Sequence, residues 1–443
     1  MAKKKQDLTP EERLAAALVP EEENMANYGA AEYPIVLSLG NVIETQYGYT
    51  EKSSFDVQGP YYLRITDIQE ESVDWKNVPK CLIDKTNYEK YKLKNNDIVV
   101  ARTGATTGKS YMICGDIDAV FASYLIRVQV TDKRLSPRFL YLFFQSPDYW
   151  SQIAELSIGI AQPGVNARKI RSLKIRIPTI DEQQRIVARI ESLFAKLDAA
   201  REKVQSVLDS HETRKAALLH DAFAGKLTAK WRDGQSTKSF SWKPISFEDC
   251  IEKMQNGLSK RKGDAGEYVN VLRLTNIAPE GLSFQDMRKI LLTSDEKEKY
   301  KLAPEDVLMV RVNGSKDNVG KQLYIDKKDA DNQLTFCDHL IRIHYNEQLV
   351  APQFMVYFSH TMQYKSYVEK NMVSSAGQNT ISRKGMKNLS LMLPSLPEQQ
   401  QIVRILDRLL AREQRARQAA EETLTAIDRM KQAILARAFR GEL

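Results

Sequence analysis

The sequence is poor in cysteine and histidine, and neither residue is arranged as a metal ligand. It has 4 cysteines, Cys81, Cys114, Cys250 and Cys337, with no C-x-x-C spacing, and only 5 histidines in 443 residues. Zinc sites and disulfide frameworks need such ligands at short, paired spacings. We therefore expect buried, unpaired thiols and no bound metal.

Long apolar runs are absent as well, which argues against a membrane-spanning segment. The first residues, Lys3 to Lys5, lead into the polar stretch TPEERLAAALVPEEE, where Thr9 and Glu12 fit a helix-capping box. Because no apolar core follows the lysines, we expect no signal peptide and a cytoplasmic location. With 42% hydrophobic and 28% charged residues and a net charge of +8, the chain fits a multidomain globular protein with a polyanionic partner such as nucleic acid.

The chain repeats itself once. LRITDI (Leu63–Ile68) returns as LRLTNI, and KYKLKNNDIVVAR returns as KYKLAPEDVLMVR. Further on, IPTIDEQQRIVARIESLF (Ile177–Phe194) returns as LPSLPEQQQIVRILDRLL, and AFAGKL returns as AFRGEL. Each copy has a mixed region with strand-like runs, then a proline-bounded entry, then a long helix. This order predicts a duplicated unit of one globular head and one helix.

Both helices carry a heptad pattern with apolar positions at alternating spacings of four and three. Helix one, expected from Asp181 to Ala222, would be roughly 60 Å long. Glu413 falls on the seam, which suits staggered or antiparallel pairing. Such pairing would place the heads about a pseudo-twofold axis, with two surface helices packed on their own domains as the alternative. The seam residues are Ile186, Ile190, Leu193, Leu197, Val204, Ile402, Leu406, Leu409, Ile427 and Ile434.

The segment ARTGATTGKS resembles a phosphate-binding P-loop, but its spacing is wrong. Three residues separate Gly104 from Gly108, and in the second copy five separate Gly314 from Gly320, whereas the P-loop requires four. Apolar strand-like segments flank the loop on both sides in each copy. We therefore expect a strand–loop–strand hairpin rather than a nucleotide site.

Three polar loops in each copy are candidates for DNA contacts: the hairpin loop, the loop before the long helix, and the segment after Gly48 or Gly257. Their arginines, lysines and amides suit phosphate and base-edge contacts, although ordinary solvated turns have the same composition. The candidate DNA-binding residues are Lys52, Arg102, Thr103, Lys109, Gln162, Asn166, Arg168, Lys260, Arg261, Arg311, Asn313, Lys316, Lys321, Gln378, Asn379 and Arg383.

The IPTIDEQQRIV and LPSLPEQQQIV entries, the helix ends LLHDAFAGKL and ILARAFRGEL, and the paired segments DIVVAR and DVLMVR resemble the DNA-specificity subunit of type I restriction-modification systems. The resemblance covers nearly the whole chain from about residue 33. It implies an α+β protein, in which two mixed α/β target-recognition domains are joined by two long helices in an antiparallel coiled coil. The implied segments are a leader helix 1–32, recognition domains 33–178 and 228–394, and conserved helices 179–227 and 395–443.

By the same resemblance, each recognition domain reads one half of a split double-stranded DNA target, and the helices set the spacer. Two methyltransferase subunits would bring S-adenosylmethionine, and restriction subunits would bring ATP and Mg²⁺. This chain would itself be non-catalytic and hold no cofactor. The sequence agrees, since it lacks an Asn/Asp-Pro-Pro-Tyr/Phe motif and a P-loop. The alternatives are a coiled-coil scaffold that does not read sequence, an orphan specificity subunit and, third, an NTPase.

Overall fold

The computed structural model describes residues 35–69, 72–104, 106–157, 164–234, 242–278 and 281–443. The expected leader helix, its capping box and Gln162 lie outside these residues. The helices are α1 Lys85–Tyr91, α2 Pro137–Phe143, α3 Pro147–Ser157, α4 Ala167–Ser172, α5 Ile180–Asp209, α6 His211–Phe223, α7 Ala229–Asp233, α8 Ser294–Tyr300, α9 Lys327–Ala330, α10 Pro352–Ser359, α11 Met362–Asn371, α12 Arg383–Met386 and α13 Leu396–Arg440.

The strands alternate with these helices in both copies. Those of the first copy are β1 Ile35–Ser38, β2 Ile43–Tyr47, β3 Ser53–Ser54, β4 Tyr61–Leu63, β5 Ile68–Gln69, β6 Ser72–Val73, β7 Lys80–Cys81, β8 Ile98–Ala101, β9 Ser110–Met112, β10 Ala119–Phe121, β11 Leu125–Val130 and β12 Lys174–Ile177. Those of the second copy are β13 Lys243–Ser246, β14 Ile251–Asn256, β15 Glu267–Leu272, β16 Ile277–Ala278, β17 Gly281–Leu282, β18 Arg288–Leu292, β19 Val307–Val310, β20 Val312–Asn313, β21 Gln322–Tyr324, β22 Leu334–Phe336, β23 Leu340–Tyr345, β24 Val373–Ser375, β25 Gln378–Thr380 and β26 Ser390–Leu393.

The chain forms two compact units, and each unit contains parts of both copies. Unit 1 comprises the residues up to Ser206 together with Ala420–Leu443, and unit 2 comprises Val207–Ala419. Each unit therefore has a head from one copy, one end of that copy's helix, and one end of the other copy's helix. The two copies thus form two similar units, in each of which the head packs with the end of the other copy's helix.

Each head is built on an antiparallel four-stranded sheet with matching strand order. In unit 1 the order is β2-β11-β8-β9, and in unit 2 it is β14-β23-β19-β21. The central strands β8 and β19 are short, fully buried apolar runs. Each head also has a second sheet, with strand order β10-β4-β7-β3 in unit 1 and β18-β15-β22 in unit 2. Pairing of β1 with β12, and of β13 with β26, brings the two ends of each head together before the long helix begins.

The first glutamine of the repeated E-Q-Q signature has the same buried role in both copies. The buried Gln183 accepts a hydrogen bond from the Ser136 amide at 2.8 Å and donates to the carbonyls of Arg134 and Pro178 at 2.7 and 2.9 Å. In unit 2, Gln399 makes the same three bonds, to the Ala351 amide at 2.8 Å and to the carbonyls of Leu349 and Pro394, both at 2.9 Å. The amide is required because it donates and accepts at once.

The exchanged helix ends insert a phenylalanine into each head. Phe439 of α13 contacts Phe139 and Phe143 in unit 1, with ring centroids 4.9 and 5.5 Å apart. In unit 2, Phe223 of α6 contacts Phe354 and Phe358, also at 4.9 and 5.5 Å.

Each of these helices ends at a left-handed glycine, Gly225 or Gly441, with φ of 72° or 83°. Two backbone bonds close each end: the glycine N–H bonds to Ala222 or Ala438, and the next residue bonds to Asp221 or Arg437. This double closure is the Schellman motif, in which glycine is favoured because it has no Cβ. The repeated A-F-x-G sequence therefore encodes both the inserted ring and the stop.

The helices pair antiparallel in unit 1. Asp198 of α5 pairs with Lys431 of α13 at 2.6 Å, and Arg201 pairs with Asp428, so numbers rise along one helix as they fall along the other. In unit 2, α6 meets the first half of α13 through the Arg214–Glu413 ion pair at 2.8 Å. The predicted fold class, two mixed α/β heads with long antiparallel helices, is confirmed.

The structure differs from the expected single first helix, because α5 and α6 are separated at Ser210. The Arg214 guanidinium donates to the Val207 carbonyl at 3.1 Å and to the Ser210 hydroxyl. These contacts stabilise the break, because side-chain donors compete for backbone carbonyls that would otherwise accept hydrogen bonds within the helix.

The thiols follow the expectation only in part. Cys81 and Cys250 are buried, and burial raises the pKa of their thiols to about 11 and about 12 respectively. Cys114, however, is exposed at the end of β9, where the buried-thiol prediction is wrong. Among the described residues, no three His, Cys, Asp or Glu side chains are grouped as a metal site, and no helix is long and apolar enough to cross a bilayer.

Candidate DNA-recognition surface

The hairpin loop predicted from ARTGATTGKS is present in both heads. β8 and β9 pair antiparallel, and β19 pairs likewise with β21. In head 1 the loop closes through Ala101 and Lys109, whose N–H and carbonyl are 2.8 Å apart, and in head 2 through Val310 and Lys321 at 2.9 Å. A strand follows each loop, whereas a helix follows the loop of a P-loop, so the geometry of a P-loop is not formed.

In head 1 the hairpin loop meets the segment before α4. The Arg102 carbonyl accepts a hydrogen bond from the Val165 amide at 2.8 Å, and Thr103 forms a bridge with Gly164. The Arg102 guanidinium lies over the Tyr47 ring, 5.0 Å from its centroid. The Tyr47 hydroxyl in turn accepts from the Ala167 amide at 3.1 Å. Two of the three candidate loops and the end of β2 thus form one surface.

Head 2 repeats this arrangement with different side chains. The Arg311 carbonyl accepts from the Ile381 amide at 3.0 Å, and β20 pairs with β25. Asn256, in the position of Tyr47, accepts from the Arg383 guanidinium at 3.4 Å. The backbone frame is the same in both heads, whereas the polar groups that it presents differ.

Glycine occupies the next position in both heads because the backbone passes too close for a side chain. A Cβ at Gly48 would lie 2.2 Å from the Ala122 carbonyl oxygen, and one at Gly257 would lie 2.1 Å from that of Cys337. These contacts pin the end of β2 or β14 beside the β10–β11 or β22–β23 turn. The turn therefore belongs to the same surface.

That turn carries an exposed aromatic residue in each head, which the sequence patterns did not single out. The Tyr124 carbonyl accepts from the Arg102 amide at 2.9 Å, and the His339 carbonyl accepts from the Arg311 amide at 2.8 Å. Tyr124 is 61% exposed, and His339 is exposed too. Alignment of ASYLI with CDHLI places them at equivalent positions, which is the signal that could have identified them.

We call this surface the recognition corner. In head 1 it comprises Tyr47, Arg102, Thr103, Tyr124 and residues 164–168, and in head 2 Asn256, Arg311–Asn313, His339 and residues 378–383.

Most of the predicted DNA-binding residues lie in or near the recognition corners and reach solvent. Arg102, Thr103, Arg311 and Asn313 are half-buried at the corners themselves. Gln162 lies outside the described residues. The exposed members are Lys52, Lys109, Asn166, Arg168, Lys260, Arg261, Lys316, Gln378 and Arg383.

Several of these side chains are already engaged within the head. Asn166 caps α4 by accepting from the Lys169 amide at 2.9 Å, the usual contribution of an Asn N-cap. Lys260 pairs with Glu296 at 2.6 Å and lowers the pKa of that carboxyl. Such an exposed pair is weak and exchanges readily with other charges. Lys260 therefore remains suited to a phosphate.

Asn379 does not fit the prediction of a base contact. Its side chain is buried and donates to the Gly314 and Asn313 carbonyls at 2.9 and 3.3 Å, while the Ser374 hydroxyl donates to it at 2.5 Å. The Nδ2 end of the amide holds the hairpin loop against β25, and the Oδ1 end is occupied by Ser374 of β24. We therefore assign it to positioning the loop, because a contact with a base would leave buried carbonyls without donors.

Lys321 also departs from the prediction, because it does not lie at the loop tip with Lys316. It is partly buried and lines a cleft on the helix side of head 2, together with Lys215 of α6 and His360. Its counterpart Lys109 is exposed. The base of the loop is anchored in the same way in both heads: the Gly108 carbonyl accepts from the buried Tyr149 hydroxyl, and the Gly320 carbonyl accepts from the buried Tyr364 hydroxyl, both at 2.7 Å. The difference between the two lysines therefore comes from their surroundings and not from this bond.

Comparison with known proteins agrees with this architecture. The family model described as the type I restriction modification DNA specificity domain matches residues 36–208 and 244–422. Over 387 residues the chain is 30% identical to the type I restriction enzyme StySPI specificity subunit of Salmonella potsdam, covering 86% of this chain and 82% of that protein. It is 27% identical to the EcoKI specificity subunit of Escherichia coli (strain K12), with the same coverage.

Two solved structures share the fold at 18% sequence identity. The HsdS subunit from Thermoanaerobacter tengcongensis superposes with a TM-score of 0.58 over 92% of this chain and 97% of that chain. A structure determined for complex assembly and conformational transition of the type I R-M system gives 0.65, over 92% and 98%. The two matched domains, the repeated signature and the shared fold lead to one conclusion: the chain belongs to the family of type I restriction-modification DNA specificity proteins.

Proposed function

We propose that this chain is the DNA sequence-specificity subunit of a type I restriction-modification enzyme, and that each head reads one half of a bipartite target. The observation that carries the proposal is the recognition corner, whose backbone frame recurs while its side chains differ. Tyr47 is replaced by Asn256, Tyr124 by His339, and the hairpin loop grows by two residues. A constant frame with variable donors and acceptors suits the reading of different bases.

The half-buried arginines Arg102 and Arg311 are the best placed candidates for base contacts. Their main chains are fixed on both sides, by bonds to the neighbouring turn and to the segment before α4 or α12. Stacking on Tyr47 also orients the Arg102 guanidinium and presents its planar donors. A guanidinium held in this way loses little side-chain entropy on binding guanine N7 and O6.

The exposed lysines and arginines around each corner would serve the phosphates. Lys52, Lys109, Lys260, Arg261 and Lys316 are exposed on polar loops, and Arg168 is exposed in the first turn of α4, at the edge of its corner. Contacts of this kind position a protein on DNA without reading sequence, and they make affinity depend on salt. Sequence discrimination therefore belongs to the corners, and general affinity to the surrounding cations.

The long helices would set the distance between half-sites and dock the methyltransferase subunits. α13 alone has 45 residues, about 68 Å at 1.5 Å per residue. Its seam is apolar at Ile402, Leu406 and Ile427, which are fully buried, with Leu409 and Ile434 partly so. In α5, Ile186, Ile190, Leu193 and Leu197 are buried and Val204 is half-buried. A paired helix with a packed seam resists bending and can act as a spacer.

Under this proposal the chain has no catalytic role. S-adenosylmethionine would be held by the methyltransferase subunits, and ATP and Mg²⁺ by the restriction subunits. The absence from the sequence of an adenine-methylation motif and of P-loop spacing supports this division.

The test is to map methylated adenines in DNA from cells that express this chain with its neighbouring methyltransferase gene, against cells that express the methyltransferase alone. We expect a split motif only when this chain is present. The same motif without the chain would overturn the proposal, and assembly without any new motif would leave a scaffold protein.

Spacer control is tested by removing one heptad from each partner of the paired helices. Deletion of residues 199–205 together with residues 424–430 removes the Arg201–Asp428 pair as a unit and keeps the seam in register. We expect a changed spacer with both half-sites unchanged. A changed half-site with the original spacer would show that the helices do not measure the distance.

A further inference from the structure

A cleft in unit 2 lies between the head and the helices, separate from the recognition corner. It has a volume of about 450 Å³ and includes Lys215, Lys321, Tyr357, His360, Asp407 and Glu413. We call it the basic cleft. These side chains come from α6, the base of the hairpin loop, α10 and its end, and α13, so four elements of one unit converge on it.

Among the described residues, neither Lys215 nor Lys321 forms an ion pair with the carboxylates of the cleft, Asp407 and Glu413. The pKa of the Lys321 ammonium is lowered by its burial and by the charges of Lys215 and Lys365. The same three lysines, after burial itself, lower the pKa of His360 to about 4. Besides burial, the charged groups that shift the pKa of Lys321 and His360 are lysines.

The two acidic residues of the basic cleft are engaged with other groups. Asp407 accepts a hydrogen bond from the Tyr357 hydroxyl, and Glu413 is paired with Arg214 at 2.8 Å. The buried His211 beside them has a ring Nδ1 without a hydrogen-bond partner among the described residues, 4.0 Å from Glu413. A buried polar atom that lacks a hydrogen-bond partner is a place where a ligand can supply one.

The equivalent place in unit 1 is neutralised and filled. Lys431, the counterpart of Lys215, pairs with Asp198 at 2.6 Å and lies over the Phe194 ring at 5.1 Å. In unit 2 the aspartate is replaced by Gln414 and the phenylalanine by Leu410. Trp150, packed against Gly108 in unit 1, is replaced by Lys365. These three substitutions between the copies remove an acid, open space and add a cation at one place. A fourth, Glu413 in place of Leu197, adds an acid that is paired with Arg214.

We propose that the basic cleft of unit 2 binds a phosphate group, held by the ammonium groups of Lys215 and Lys321. A phosphate supplies the missing negative charge and several acceptor oxygens. His360 lines the same space and can donate to it through a ring N–H. The phosphate could come from a nucleic-acid backbone or from a free phosphorylated molecule. The site does not depend on the proposed DNA specificity, because all of the residues that form it lie in unit 2 and outside the recognition corner.

The first measurement titrates the purified full chain with inorganic phosphate and follows the imidazole resonances, with His360 assigned through the His360→Gln variant. An anion beside the ring favours its protonated form. We expect the pKa of His360 to rise from about 4 toward its ordinary value as the cleft fills. The Lys215→Gln/Lys321→Gln double variant should bind phosphate at least about tenfold more weakly, a loss of about 1.4 kcal/mol. Lys431→Gln, at the equivalent place of unit 1, is the matched control and should bind as the unchanged chain does.

The second measurement identifies the source, through the salt dependence of binding to a duplex of arbitrary sequence. If the cleft holds a backbone phosphate, the double variant should reduce the slope of log K against log salt by about 0.9 for that contact. An unchanged slope with weakened inorganic phosphate binding assigns a free phosphorylated ligand. If phosphate leaves the His360 resonances unmoved and the double variant alters neither measurement, the proposal is overturned. That result would not affect the adenine-methylation test, which reads the recognition corners.

Discussion

Gln183 and Gln184 are adjacent, identical residues with opposite environments, which makes them a sharp test of how the signature stabilises each unit. Gln183 is fully buried and makes three hydrogen bonds, whereas Gln184 is exposed. Gln183→Ala leaves one amide and two carbonyls without this partner. At about 1 kcal/mol or more for each buried group, the loss is about 3 to 4 kcal/mol. Gln184→Ala should change stability by less than about 0.5 kcal/mol.

The assay is thermal unfolding followed by circular dichroism, with attention to the transition of unit 1. For a unit of this size, 1 kcal/mol shifts the midpoint by about 2 to 4 °C, so Gln183→Ala should lower it by about 6 to 16 °C. Gln183→Glu keeps the acceptor but loses the two donors, and it should be more damaging at neutral pH than near pH 4, where the carboxyl gains a proton. Equal, small shifts for Gln183→Ala and Gln184→Ala would refute the idea that the three hydrogen bonds of Gln183 stabilise unit 1.

Three further outcomes are expected. Glu413→Leu alone should lower the unfolding midpoint of unit 2 by about 2 to 4 °C, whereas the double variant with Arg214→Met should restore it, because an apolar pair replaces an ion pair without leaving a charge unmatched; a double variant no better than the single one would count against this. Tyr124→Ala should relax or weaken recognition of one half-site in adenine mapping, and His339→Ala that of the other; an effect of either variant on both half-sites would contradict separate corners. The folded-state pKa of His360 is about 4, below its ordinary value, so the unfolded chain binds a proton that the folded chain does not. Stability therefore falls as pH drops from about 6.5 to 4, and His360→Gln should reduce this slope by up to about 1.4 kcal/mol per pH unit. An unchanged slope would exclude His360 as its source.

The sequence was sufficient for the features that depend on local pattern. The two hairpins were predictable because apolar runs such as IVVA and VLMV enclose polar, glycine-containing loops. The helices were predictable from their heptads. The duplication then implied that whatever surface one head forms, the other forms at the equivalent position, as Arg102 and Arg311 show.

Features that depend on distant contacts were not predictable in this way. The break at Ser210 interrupts a heptad that continues in the sequence through His211 and Arg214. Side chains of Arg214 and Ser210 donate to the Val207 carbonyl there, and the heptad pattern does not predict these contacts. The partial burial of Lys321 depends on residues of α6 and α10 that line the same cleft. Tyr124 and His339 had no motif, because an exposed turn residue gains its role from neighbours elsewhere in the chain.

The exchange of helix ends has a consequence for how the chain can fold as it is synthesised. The core of unit 1 contains Leu435, Ala438 and Phe439, which are translated only after all of unit 2. A ribosome could release unit 2 with most of its core in place, while head 1 still lacks the ring that lies between Phe139 and Phe143. The first head to be translated is therefore the last to be completed, and during that delay its exposed apolar surface needs protection from aggregation.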